Sequence, residues 1–265
     1  MSSRGFDWRR MPELGFLTIA VLAFLYAPLV VLVVFAFNGG DLALIWTGFS
    51  LRWFAKAATD QDLQRAALNS LAVGLVATIV SVAVAVPAAL AFERGRHFAF
   101  RALGEGLIAL PLIAPEIVTA IATLVFFSAI GLHLGLGNVM LAHIVFCIPF
   151  AVLPIRARLR EMPVDIEDAA RDLYAGEWAV FQRVTLPLLM PAIVSGAMLA
   201  FVVSLDDFLI TLMVAQAGST TLPVYLYGML RLGVTPEANA AATILLTFSI
   251  AAVSLSYLFA RGRSG

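Results

Sequence analysis

Apolar residues in this chain do not recur on one face at helical spacing; they run on without interruption. Residues 14–37 and 69–92 hold no charged side chain, 107–130 holds only Glu116, 138–155 is shorter and holds His143, 188–214 holds Asp206 and Asp207, and 238–259 holds none. A run of about 20 apolar residues crosses a hydrocarbon core of about 30 Å as a helix, because only a helix satisfies every backbone polar group within its own segment. The pattern predicts an all-α polytopic membrane protein of six transmembrane helices. With no low-complexity tract and no internal repeat, it reads as one domain over residues 1–265.

Composition carries this further. The chain is 62% hydrophobic and 13% charged, with a mean hydropathy of +0.97, which is too apolar for a soluble core of this length. Orientation follows from the arginines. One side of the six spans holds Arg4, Arg9, Arg10, Arg94, Arg96, Arg101, Arg156, Arg158, Arg160, Arg171, Arg183, Arg261 and Arg263, and the other only Arg52, Lys56, Arg65 and Arg231. Basic flanks stay in the cytoplasm, so both termini are expected inside, in a multi-pass membrane protein. Arg9-Arg10 also begins a twin-arginine pattern, but the apolar run behind it is about twice a signal-peptide core and lacks a cleavage site, so it reads as a retained first span. The net charge of zero says nothing about nucleic acid, since the arginines are committed to topology, and no nucleic-acid partner is expected. Cys147, alone in an apolar run, excludes disulfides and thiolate metal clusters.

Between the spans, residues 38–68 mix Trp46, Phe49, Trp53 and Phe54 with isolated charges and predict short interfacial helices against lipid, with Ser50 and Asp60 as N-caps. Residues 131–137 predict a tight turn, and 216–237 a loop long enough to touch a partner. The outlier is the cytoplasmic segment 163–187, which contains IEDAARDLYAGEWAVFQRVTLP. Asp165 is a candidate N-cap, Glu167 and Asp168 fall where a helix dipole favours negative charge, Gly176 separates a second short helix over 177–184, and Leu186-Pro187 ends it. Ala169 and Ala170 would let another backbone approach closely beside Trp178 and Phe181. Spacing alone leaves a docking surface and a plain cap on the bundle both open.

The register of this segment resembles a cytoplasmic motif of ABC importer permeases: Glu-Ala-Ala, three residues, Gly, nine residues, Ile, one residue, Leu-Pro. Here Asp168-Ala169-Ala170 is followed after three residues by Tyr174, and after nine more by Val184, Thr185 and Leu186-Pro187. Asp168 departs from Glu, with Glu167 beside it, and Tyr174 departs from Gly, with Gly176 two residues on. The resemblance implies a type I importer permease fold and a coupling helix seated in an ATPase subunit. It thereby assigns ATPase coupling to Glu167, Asp168, Ala169, Ala170, Tyr174, Gly176, Val184, Leu186 and Pro187. It extends from about Gly48 to Ser256, and Ser204-Leu205-Asp206-Asp207-Phe208, the 218–223 run and Arg231 to Glu237 are similar to the second permease of spermidine and putrescine importers. The partners so implied are a second permease in a heterodimer, a cytoplasmic ATPase dimer and an extracytoplasmic solute-binding protein.

Independently of that resemblance, Lys56 in WFAKAAT is the chain's one lysine and no glycine-rich phosphate loop precedes it. No cofactor is therefore expected here; ATP belongs to a partner. A carboxylate at bilayer depth costs a few kcal/mol, so Glu116, Asp206 and Asp207 read as lining the pathway of a cationic solute, unless one of the aspartates caps a helix. Pro111 and Pro115 beside Glu116 suit a broken helix. His97, His133 and His143 form no ligand spacing and read as surface or interface residues, and no metal site is expected. The alternatives are an ion-coupled secondary transporter using the same carboxylates, an ABC permease for another small solute and, least supported by any nucleophile and base, an intramembrane enzyme.

Overall fold

The computed structural model describes residues 12–42, 45–95, 101–233 and 235–261. Arg4, Arg9, Arg10, Arg96, His97, Val234 and Arg263 lie outside the described residues. Twelve α-helices and one π-turn account for the described elements, with no β-strand among them beyond an isolated bridge between Asn38 and Phe49. The chain forms two compact units, one from residues 1–63 with 226–265 and one from 64–225.

The first unit holds α1 (Pro12–Ala36), α2 (Arg52–Thr59) and α12 (Pro236–Arg261). Almost every side chain described on α1 is exposed, as lipid contact requires of a helix apolar all round. Ala36, Trp53 and Ala240 form its small core. The aromatic stretch before α2 is a loop rather than a helix, organised by fully buried Asn38. The Asn38 amide donates to the carbonyls of Leu42 (2.9 Å) and Ile45 (2.7 Å), and its Oδ1 accepts the Thr47 N–H at 2.9 Å. A side-chain amide that binds backbone groups in this way offers the chain an alternative to helix. Asp60 caps as expected, accepting the N–H groups of Asp62 and Leu63. Ser50 accepts only the Arg52 N–H at 3.2 Å, from the residue before the N-cap. Lys56 Nζ pairs with Glu237 at 2.6 Å.

α3 (Gln61–Arg94) crosses the boundary between the units and starts eight residues ahead of the expected span, because Asp60 caps it there. The second unit continues with α4 (Arg101–Ile113), α5 (Glu116–Ala129), α6 (Leu136–Glu161), α7 (Asp165–Asp172), α8 (Glu177–Val180), α9 (Leu186–Asp206), α10 (Leu209–Val214) and the start of α11 (Leu222–Leu232). Small residues set its packing. Ala77, Ser81, Ala85 and Ala89 of α3 are buried at four-residue spacing, and so are Ala192, Gly196, Ala200 and Ser204 of α9. A Cβ on Gly196 would stand 2.8 Å from the Ala151 carbonyl oxygen, so α9 touches the backbone of α6. Membrane helices pack by such close approach, since burial against lipid gains little.

Three of the expected spans differ in form. The run 107–130 is two helices, α4 and α5, bent by 115° where Pro115 denies the helix a donor. The run 188–214 stops at Asp206 and resumes as α10. The run 138–155 belongs to a 26-residue helix, α6, which passes through Pro149 and Pro154. Among the described residues four helices are long and apolar enough to cross a membrane, or five with the bent pair, where six spans were expected. Over the expected sixth run lies α12, itself 26 residues long.

Candidate functional site

Two places carry the residues singled out by sequence. The first is the 163–187 segment. Its helix α7 begins at Asp165, with Val164 at the N-cap position, so Asp165 is in the first turn rather than the cap. Asp168 and Ala169 are exposed, and Asp168 Oδ1 accepts from Arg171 at 2.7 Å. Arg171 also donates to both carboxylate oxygens of Glu177. Glu177 first and Asp168 second hold the guanidinium's pKa well above its ordinary value.

Glu167 points the other way. It is 3% exposed and the only residue of α7 that is buried. Arg94 Nε donates to its Oε2 at 3.1 Å and Thr185 Oγ1 to its Oε1 at 3.1 Å. The resemblance assigned Glu167 to ATPase coupling beside Asp168; α7 has an outer and an inner face, and the Glu167 carboxylate falls on the inner one, against Arg94 and Thr185.

Tyr174 holds φ at +61°, the one non-glycine residue at positive φ among those described, and its side chain is 99% exposed. The turn after α7 needs a left-handed residue where the resembling motif has glycine. Leu173 and Trp178 are exposed beside it, and Trp178 stacks with Phe181 at 5.4 Å. Gly176 is the N-cap of α8. Leu186-Pro187 does not end that helix. A π-turn over Phe181–Thr185, with the Leu186 N–H on the Phe181 carbonyl, runs α8 into α9. Proline is tolerated in the first turn of α9, and the wider turn absorbs the register change. Val184 and Leu186 are half-buried within this continuous stretch.

The second place is the pair of helix breaks. Asp206 ends α9 and is exposed, whereas Asp207 is 5% exposed and in the break itself. The Asp207 carboxylate accepts from the Ile210 N–H (3.3 Å), the Thr211 N–H (3.0 Å) and the Thr211 hydroxyl (3.0 Å), and His143 Nε2 lies 3.1 Å away. It is the cap of α10, and the reading of Asp207 as a pathway-lining charge is corrected.

His143 is fully buried rather than at a surface. Its Nδ1 lies 2.7 Å from Ser204 Oγ and its Nε2 2.9 Å from Thr211 Oγ1. An imidazole with its proton on Nε2 satisfies the whole set, accepting from Ser204 and donating towards Asp207 and Thr211. Glu116 opens α5 just past the other break and is exposed. Its carboxyl reaches the Asp207 carboxyl and the Leu209 N–H, with Asp206 also in coulombic range. The three carboxylates thus meet at one level, two open and one enclosed. Sequence reasoning missed His143, Ser204 and Thr211, whose signal was a polar side chain inside an apolar run, the feature that singled out the acids.

Residues 81–264 match the family described as "Binding-protein-dependent transport system inner membrane component". The chain belongs to this family. It is 35% identical over 250 residues, 94% of each chain, to the spermidine/putrescine transport system permease protein PotC of Escherichia coli K12. It is 37% identical over 245 residues, 90% of this chain and 87% of the other, to the putrescine transport system permease protein PotI of the same organism. In fold it resembles a chain in the crystal structure of a bacterial ABC transporter involved in the import of the acidic polysaccharide alginate, with TM-score 0.70 and 17% identity over 97% of this chain and 98% of that one. The chain is therefore a multi-pass inner-membrane transport subunit and not an enzyme.

Proposed function

We propose that this subunit forms half of the pathway of an ATP-driven importer for polyamines such as putrescine or spermidine. The observation that carries the substrate is the similarity along nine-tenths of the chain to two permeases named for these amines. The exposed carboxylates Glu116 and Asp206 at the helix breaks support it, because an ammonium group leaving water needs a negative partner. In this reading six spans cross the membrane with both termini in the cytoplasm, and a second permease completes the pathway. A solute-binding protein delivers the amine outside. An ATPase dimer docks on the exposed side of the 163–187 segment, at Asp168, Ala169, Tyr174 and Trp178. Ala170, Gly176, Val184, Leu186 and Pro187 shape that segment, and ATP-driven closure of the dimer moves it to give alternating access.

The test is uptake of radiolabelled putrescine into vesicles holding the complete importer. Glu116→Gln with Asp206→Asn keeps shape and hydrogen bonding and removes charge. Uptake is expected to fall severalfold while the ATPase still co-purifies. Full uptake by the assembled double variant would sink the cation pathway.

A further inference from the structure

The 163–187 segment is attached to the helical body in an unusual way. An exposed amphipathic helix ordinarily docks through an apolar stripe, yet the only buried side chain of α7 is a carboxylate, Glu167. Arg94, the last residue of α3, meets it through Nε at 3.1 Å and spends Nη2 on the carbonyl of Met162, also at 3.1 Å, where α6 has just ended. The other oxygen of Glu167 accepts from Thr185, the last residue of the π-turn that feeds α9. One guanidinium and one carboxylate therefore gather the ends of α3, α6 and α9 onto α7.

The geometry points to the Arg94–Glu167 pair as the joint that carries displacement of the 163–187 segment into the helices α3, α6 and α9, which makes both positioning residues for coupled transport. This rests on the ATPase docking at that segment proposed above. A charge-assisted pair holds direction as well as distance, since the planar fork offers its donors along fixed lines. An apolar contact slides. The π-turn at the far side of Glu167 is a place where helix register shifts without breaking the chain. A pull on α7 is thus delivered to α3 and α6 through Arg94 and to α9 through Thr185.

A second ion cluster close by supplies the control. Arg156 of α6 donates to Glu93 at 2.7 Å and to Glu105 at 2.9 Å, joining α3, α4 and α6 without touching 163–187.

The experiment uses the whole importer, with binding protein and both permeases, in vesicles. It reads ATP hydrolysed against putrescine moved, each per assembled complex. Arg94→Lys keeps the charge but replaces the planar fork and its fixed donor directions by a point charge on a flexible stem; Arg94→Met removes the charge. Hydrolysis is expected to continue in both, while putrescine moved per ATP falls about tenfold in Arg94→Met, the size of one charge-assisted hydrogen bond, and less in Arg94→Lys. Arg156→Lys is expected to lower thermal stability and leave the ratio alone. A wild-type ratio in assembled Arg94→Lys, or transport and hydrolysis declining together in both variants, would show that the pair only holds the fold. If Arg94→Met does not assemble, the Lys variant alone decides. If no ATPase co-purifies with the unaltered subunit, the docking reading fails first, and the joint fails with it.

Discussion

Two pairs of adjacent acids, Glu167-Asp168 in the 163–187 segment and Asp206-Asp207 at the break after α9, are built to one plan and solved by different chemistry. On α7 successive residues point about 100° apart, so Glu167 faces in and Asp168 out, whereas at Asp206-Asp207 the end of α9 turns the chain and the second acid inward. Glu167 and Asp207 are buried; Asp168 and Asp206 are exposed. The inward acids differ in their partners. Glu167 meets a guanidinium, a charge that persists at any physiological pH, at an end of the helical body where Arg94 keeps some access to water. Asp207 lies in a drier place and meets N–H and O–H donors, an imidazole and the Glu116 carboxyl, with no guanidinium among its described partners. The difference teaches which acid is free to act on something outside the chain: in each pair it is the one without buried partners.

The largest expected effect separates Asp207 from Asp206. Asp207→Ala strips the acceptor from the Thr211 amide and hydroxyl and from His143, and each buried donor left unsatisfied costs about 1–3 kcal/mol. It also uncaps α10. The purified complex should lose thermal stability sharply or fail to assemble, whereas Asp206→Ala should unfold near the parent temperature. His143→Ala should resemble Asp207→Ala, and Asp207→Asn should lie between, since an amide oxygen still accepts. Equal melting temperatures for the two alanine variants would end the division into inner and outer acids.

The same division explains what was legible in the sequence. Length and apolarity located the helices, because lipid leaves a chain no other regular way to satisfy its backbone. The break at Pro115 was legible because proline lacks a donor. The break at Asp207 was not, because hydropathy averages across one turn, and only the cap geometry of Asp207 on Ile210 and Thr211 shows that the helix stops. The motif register found the 163–187 segment and the misfit at Tyr174. It could not tell that Glu167 faces inward, since that depends on Arg94, distant in sequence and read from its position as an orientation signal alone. The four-residue recurrence of Ala77, Ser81, Ala85 and Ala89, and of Ala192, Gly196, Ala200 and Ser204, was visible throughout; it marks packing faces that a count of apolar residues ignores.

A smaller effect sharpens the comparison at the other pair. Asp168 is exposed and its bond to Arg171 lies in water, so Asp168→Ala should leave stability nearly unchanged, as exposed ion pairs usually do. Asp168→Lys reverses the charge at the first turn of α7 and on the surface offered to the ATPase. The expected outcome is an assembled permease pair that retains less ATPase on purification. A bulky replacement at exposed Ala169 should act in the same direction without altering charge. Unchanged ATPase retention together with normal uptake in both would remove the outer face of α7 from coupling. Glu167→Gln, by contrast, should alter stability before it alters docking.

The smallest effect concerns Tyr174, where backbone and side chain can be varied separately. At φ +61° an L-residue with a Cβ carries a strain of about 1–2 kcal/mol that glycine does not. The ring is almost wholly exposed, so its removal forfeits little packing within the chain. Tyr174→Gly should therefore raise stability by about 1 kcal/mol at most, since glycine gives part of the relief back as unfolded-state entropy. Tyr174→Asn should gain less, because asparagine tolerates the left-handed region without being free of cost. Tyr174→Ala keeps the strain and deletes the ring. If the aromatic surface of Leu173, Tyr174 and Trp178 is what the ATPase grips, all three variants lose ATPase on purification to a similar extent, whatever their melting temperatures. If the turn alone matters, Gly and Asn, which relieve its strain, retain more ATPase than Tyr, and Ala, which keeps the strain, retains as much as Tyr. Retention that follows neither pattern, with all three indistinguishable from Tyr, would leave Tyr174 as a strained residue with no role in docking.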